Sequence, residues 1–299
     1  MKHQQSSTFL DLSHYQLHLR RLTPLHIQHA PVLMLHGAIE NGRIFYSHQG
    51  KGLGCFLADH GFSVYCADFA GRGKSQPRAS KDFDHSQHQL ICQDIPALIE
   101  HLYQQYQQKI HLVCHSWGGV VLAASLARFP ELCSKVASAS YFGTKRRISI
   151  ESFSKTIQVN WIWNQIAPWL CQRYGYLPAK KLRFGADNEP RQFLKDTVHW
   201  INSESFVDPT DQFDYAAAST RCDWPASWFF AAINDKVLGH PTDVRLFMAE
   251  TQLQHAKYTL LGSEAQDDQH GYDHISMLTH PKARDGHFQS LAQWLVAQQ

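Results

Sequence analysis

The run Ile110-His-Leu-Val-Cys114-His115-Ser116-Trp117-Gly118-Gly119-Val-Val-Leu-Ala-Ala limits the possible folds more than any other stretch of the chain. An apolar strand passes into a serine, and a small-residue apolar helix follows from Gly118 to Phe129, stopped by Pro130. A turn this tight strains the serine backbone and requires small residues two places to either side, which Cys114 and Gly118 supply. It holds the Ser116 hydroxyl clear of the sheet at the positive end of a helix. There the Trp117 N–H can point at a developing oxyanion.

Other apolar runs repeat the strand half of this unit: Pro31–His36, Phe62–Asp68, Lys135–Tyr141, Ala226–Ile233 and Ala256–Leu261. None alternates, which suits strands covered on both faces. Phe9–Leu22 alternates loosely and reads as an antiparallel edge hairpin. Helical spacing appears at Leu90, Ile91, Ile95, Leu98, Leu102 and Tyr106, and again over Asp243–Glu250 and Ala283–Ala297. Pro96 either lies in a first turn capped by Asp94 or kinks a longer helix. The alternation predicts an α/β fold with a doubly wound, mostly parallel sheet. From Lys145 to Arg221 the rhythm stops and aromatic residues gather: Trp161, Trp163, Trp169, Tyr174, Tyr176, Phe184, Phe193, Trp200 and Phe206. The expected organisation is a core of residues 1–144 and 222–299 with a helical cap inserted over 145–221. The cap's aromatics serve as its own core, as walls of an apolar substrate pocket, or as both.

Bulk properties remove several function classes. Lys+Arg number 28 against Asp+Glu 26, and the charges are dispersed, so no nucleic-acid-binding face is expected. Lys145-Arg146-Arg147 reads as a solvated linker. The start, Met1-Lys-His-Gln-Gln-Ser-Ser-Thr, lacks the apolar centre of a signal peptide, and no run is long enough for a transmembrane segment. Seven cysteines, an odd number without a C-x-x-C pair, suit free thiols in a reducing compartment, with the cytoplasm as default. The 20 histidines show no metal-ligand spacing and read mostly as surface residues, so neither a metal nor an organic cofactor is expected. Gly73-Lys74-Ser75 could end a phosphate-binding loop. That motif needs glycine where Asp68 stands, so the loop Asp68-Phe-Ala-Gly-Arg-Gly-Lys-Ser75 is taken as structural.

With these motifs in place the chain resembles the α/β-hydrolase superfamily, in its serine esterase and lipase-like branch, over most of Pro31–Trp294 apart from the cap. The G-x-S-x-G elbow appears as Cys114-x-Ser116-x-Gly118, with cysteine replacing the first glycine. Met34-Leu-His36-Gly37-Ala38 matches the early strand ending in His-Gly. The resemblance makes the Ala38 N–H the second oxyanion donor, and His36 is expected to orient this loop by hydrogen bonding. Asp68-x-x-Gly-x-Gly-x-Ser75 matches a further family loop. The acid is implied in the turn Asn234-Asp235-Lys236-Val237 after a late strand; Asp208, Asp211, Asp214 and Asp223 compete with Asp235 but precede that strand. The base is implied in Gln269-His270-Gly-Tyr-Asp273-His274-Ile-Ser-Met-Leu278. The family order Ser…Asp…His favours His274 there over His270, His280 and His287, with Asp273 pointing away. The resemblance implies acyl transfer from a small-molecule ester, of hydrophobic acyl or aryl type and including acylglycerols, to water through Ser116. Thioesterase, acyltransferase and amidase chemistry on the same triad, and a non-catalytic binding protein, are the alternatives. The sequence assigns no oligomeric state.

Overall fold

The structure is a computed structural model that describes residues 2–263 and 270–299. Its centre is an eight-stranded sheet in the order β1-β2-β4-β3-β5-β6-β9-β10. The hairpin of β1 (His3–Leu12) and β2 (Tyr15–Pro24) forms one antiparallel edge, and β2 pairs antiparallel with β4 (Phe62–Asp68). All further pairings are parallel: β4 with β3 (His29–Leu35), then β5 (Ile110–His115), β6 (Val136–Phe142), β9 (Ala226–Ala232) and β10 (Lys257–Leu261). The expected α/β-hydrolase fold, a mostly parallel doubly wound sheet, is what the chain forms.

The unbroken apolar runs follow from covering both faces. Leu33, Leu35, Leu112, Cys114, Tyr141 and Phe229 pack on one face, and Val32, Met34, Val113, Phe142, Trp228 and Phe230 on the other. Adjacent strands carry stacked ring pairs, Tyr141–Phe229 on the first face and Phe142–Phe230 on the second, both with centroids 4.3 Å apart. The first face is covered by α2 (Ile95–Tyr106), α3 (Trp117–Arg128) and α6 (Pro241–Glu250). The second is covered by α1 (Leu53–Asp59) and α7 (His287–Ala297).

Between β6 and β9 run the helical stretch Phe153–Ile166, α4 (Ala167–Tyr174), α5 (Arg191–Asn202) and a short turn of helix, Tyr215–Ser219. A two-stranded ribbon of β7 (Tyr176–Leu177) and β8 (Glu189–Pro190) lies among them, outside what the sequence pattern led us to expect. Among the described residues no helix is long and apolar enough to cross a membrane.

Three sequence readings need correction or choice. Pro96 belongs to a longer helix that runs from Gln87 through a wide turn at Leu90–Asp94, where the Ile95 N–H reaches the Leu90 carbonyl. The same device precedes Pro168, with the Ala167 N–H on the Ile162 carbonyl. A widened turn carries the helix past a residue that lacks an N–H and whose ring crowds the carbonyl four places back. Asp94 caps nothing there; its carboxylate accepts from Tyr15 Oη at 2.5 Å and from the His85 ring at 3.0 Å. The Lys145–Arg147 linker is not solvated: Lys145 and Arg146 are buried. The Arg146 guanidinium binds Glu250 and the carbonyls of Trp200, Ser203, Glu204 and Ser205, a cation at the C-terminal end of α5. The histidines are not mostly surface residues either. Only six of 20 are exposed, because a ring with two hydrogen-bonding nitrogens can be buried between polar partners, as at His3 and His18.

Candidate active site

Ser116 stands between β5 and α3 with φ 50° and ψ −123°, a left-handed conformation that an L-residue adopts only where its surroundings impose it. The approach behind it is close. A Cβ on Gly118 would lie 2.4 Å from the His36 carbonyl oxygen, so no larger residue fits there. Cys114 is tolerated because its side chain points into the sheet's first face, fully buried.

The β3 loop lies directly opposite. Its Gly37 N–H donates to Glu40 Oε2 at 2.8 Å, and its Ile39 N–H is taken by Glu189. The Ala38 N–H between them is bonded to no described residue, and Ala38 lines the same cavity as Ser116 and Trp117. His36 orients this loop. Its Nδ1–H donates to the Gly37 carbonyl at 2.8 Å and its Nε2 accepts from the Phe69 N–H at 3.1 Å, which fixes a neutral ring. Burial, aided by Arg72, lowers its pKa to about 4 in the same sense. The Asp68–Ser75 loop is structural: Asp68 accepts from the N–H groups of Gly42 and Lys74 and from His18, and Ser75 Oγ donates to the Asp68 carbonyl.

Asp235 follows β9 and His274 follows β10. His274 Nδ1 donates to Asp235 Oδ2 at 2.5 Å, and both residues are buried. Asn234 ties the two loops, its N–H to the Tyr272 carbonyl and its amide to the Gly271 carbonyl. Burial lowers the pKa of His274, and the nearby positive charges of His115 and Lys145 push the same way, against Asp235. Burial would raise the pKa of Asp235, but His274, the Gly239 N–H and Lys145 outweigh it and hold the carboxylate ionised.

The competing residues Asp208, Asp211 and Asp214 are occupied elsewhere, and Asp223 precedes β9 at its far end from His274. Asp208 binds Tyr215 and His88, Asp211 pairs with Arg128, and Asp214 caps Tyr215–Ser219. Asp273 caps the turn that follows it through the N–H groups of Ile275 and Ser276. His280 accepts from the Lys282 N–H, His270 stacks on His280, and His287 reaches the Met277 carbonyl. Gln269, where the expected base loop begins, lies outside the described residues.

Sequence reading missed Glu40 and His115. The His115 ring donates from Nδ1 to Glu40 at 2.8 Å and from Nε2 to the His274 carbonyl at 2.9 Å. Both partners only accept, so this ring carries two protons and a positive charge. Burial opposes that charge, but Glu40 overcomes it and raises the His115 pKa. Burial likewise opposes the Glu40 charge, and His115 brings its pKa down to about 2. One buried ion pair thus joins the Gly37 loop, the elbow and the His274 loop. Their positions beside two recognised motifs, His36-Gly37 and Ser116, were the available signal.

Ser116, Trp117, Ala38, Glu40, Lys145 and His274 border a cavity of about 610 Å³, whose remaining wall is mostly apolar and includes Trp163 and Phe184 from the segment above. Of the other aromatics there, Phe193, Trp200 and Phe206 are core, so both readings of that cluster hold in part.

The fold is that of the α/β-hydrolase superfamily. The sequence profile of the family described as serine aminopeptidase, S33 matches residues 27–199, more than half of the chain, and the chain belongs to that family. A stretch of 117 residues is 33% identical to triacylglycerol lipase 1 of Arabidopsis thaliana; it covers 37% of this chain and only 30% of that relative. A soluble variant of monoglyceride lipase from Saccharomyces cerevisiae has the same fold, with a TM-score of 0.69 at 12% identity over 98% of this chain and 96% of its own. So does a putative aryl esterase from Burkholderia cenocepacia, with a TM-score of 0.61 at 13% identity over 98% and 99%.

Proposed function

We propose that the chain is a serine hydrolase that cleaves carboxylic esters with hydrophobic acyl or aryl groups, acylglycerols among them, through an acyl-enzyme on Ser116. The observation that carries this is the hydrogen-bonded Asp235–His274 pair opening onto the same cavity as a serine held at positive φ. With Nδ1 committed to Asp235, His274 has Nε2 left to take the Ser116 proton as the hydroxyl attacks the ester carbonyl. The N–H groups of Trp117 and Ala38 receive the oxyanion. His274 then protonates the leaving alcohol, and water releases the acid by the reverse sequence. No metal or organic cofactor enters these steps. Residues 145–221 act as the cap that selects the substrate. Seven free cysteines support a reducing, cytoplasmic setting.

The family description favours a second reading, cleavage of an amino-terminal peptide bond. Such a site needs an anion for the substrate's ammonium group. Among the described residues the one acidic side chain bordering this cavity, Glu40, is already paired with His115, which favours the ester. Intact-mass labelling with a fluorophosphonate tests the assignment. One adduct on the native protein and none on Ser116→Ala is expected; a folded native protein that takes no adduct overturns it.

A further inference from the structure

Lys145 lies just past the end of β6 and is only 5% exposed, yet among the described residues its side chain has no hydrogen-bond partner and no carboxylate within 4.0 Å of its ammonium. Its nearest described partner is the face of Trp117, with Nζ 5.7 Å from the ring. It borders the cavity together with Ser116, Trp117 and His274. A buried ammonium with no direct counter-ion is costly, and chains keep one where something else supplies the missing acceptor. Of the carboxylates that act on it from a distance, Asp235 and Glu40 are committed to His274 and His115, and Asp243 holds Ser149 through one oxygen and lies beyond 4.0 Å. Arg43, the other cation on the cavity wall, is exposed and has no side-chain partner among the described residues. The unpaired charges of this otherwise apolar cavity are therefore both positive.

We propose that Lys145 is a specificity residue that pairs with a carboxylate carried by the substrate's acyl chain a few bonds from the scissile carbonyl, so that the preferred substrates are half-esters of dicarboxylic acids. This deepens the ester reading and rests on it. The ammonium lies over the Trp117 indole on the wall of the cavity that also holds Ser116, so a carboxylate on the acyl chain can reach it from the same bound substrate. Its arrival replaces a cation–π contact with a charged hydrogen bond in a site shielded from water. Burial lowers the Lys145 pKa, and an incoming anion opposes that shift.

The test measures binding of two esters to Ser116→Ala protein by ligand-observed NMR: monomethyl glutarate, which carries the carboxylate, and dimethyl glutarate, which does not. The half-ester is expected to bind about 10-fold more tightly. That preference should vanish in the added variant Lys145→Met and survive in Lys145→Arg. Should Lys145→Met not fold, Lys145→Gln removes the charge at similar length. Equal binding of the two esters, no binding of the half-ester, or a preference that persists without the charge each overturns the proposal. Because these measurements need no turnover, their failure is separate from failure of the serine reading, which the fluorophosphonate adduct decides.

Discussion

Around Ser116 each loop is tied to its neighbour by hydrogen bonds between specific groups. Glu40 holds the Gly37 N–H and His115, His115 holds the His274 carbonyl, and Asn234 joins the Asp235 turn to the loop of Gly271 and Tyr272 that leads into His274. The segment between β6 and β9 is held differently. Its α5 docks through Phe193 and Trp200, but its helices also leave Phe153, Trp161 and Trp169 81%, 64% and 62% exposed. The first region fixes atoms to within a hydrogen bond; the second fixes only a wall. Substitutions near Ser116 should therefore act on rate, and substitutions above it on which substrate is accepted.

The largest effect is expected at the pair that would move the proton. Asp235→Asn keeps the shape but no longer fixes the tautomer of His274 or stabilises its imidazolium, so kcat at pH 7 should fall about 10⁴-fold. Circular dichroism should be unchanged, which separates chemistry from folding. A variant retaining a tenth of native activity would sink the assignment of Asp235 as the acid.

Glu40→Gln tests whether the ties between loops matter as much as the reacting groups. It leaves the doubly protonated His115 ring buried without its anion, a loss of about 3 kcal/mol in unfolding free energy by urea titration. Because His115 also supports the His274 carbonyl, kcat should drop by about 10²-fold. Stability lost with full activity kept would show that the pair only holds the fold.

The pH profile reads the same region without a mutation. Burial first, then His115 and Lys145, depress the His274 pKa below its ordinary 6.5, with Asp235 opposing. The ring must be neutral to accept a proton, so kcat/KM should be flat through pH 7. It should halve only at a pH below 6.5, as the ring protonates. A midpoint above 6.5 would contradict the depressed value, and no acid limb at all would remove His274 from the chemistry.

Much of the first region was legible in the sequence because its demands are local. A strand, a serine and a small-residue helix can be read in one window, and so can a His-Gly or an Asn-Asp turn at a strand end. Glu40 and His115 were not legible as a pair. Neither residue signals burial by itself, and the contact between them is made only when β3 and β5 lie side by side. Arg146 failed for the same reason: its acceptors are carbonyls at the far end of α5, which no charge pattern announces. The segment between β6 and β9 was legible only as an interruption. Its aromatics have no period to say which become core, like Trp200, and which line the cavity, like Trp163.

That ambiguity sets the smallest pair of effects. Trp163 lines the cavity, so Trp163→Ala should raise KM for a long acyl ester by about 10-fold while leaving an acetyl ester within about twofold, the spread expected from removing one apolar wall. Trp161, two residues away, faces outward, and Trp161→Ser should shift stability by no more than about 0.5 kcal/mol and neither KM measurably. Both variants remove a tryptophan from the same helical stretch but on opposite sides of it, so any contrast between them reports which side of the segment meets the substrate. Equal effects would mean that the segment rearranges when substrate enters. A large effect from Trp161 alone would place the substrate path on the outer face, and the division between fixed loops and selecting wall would fail.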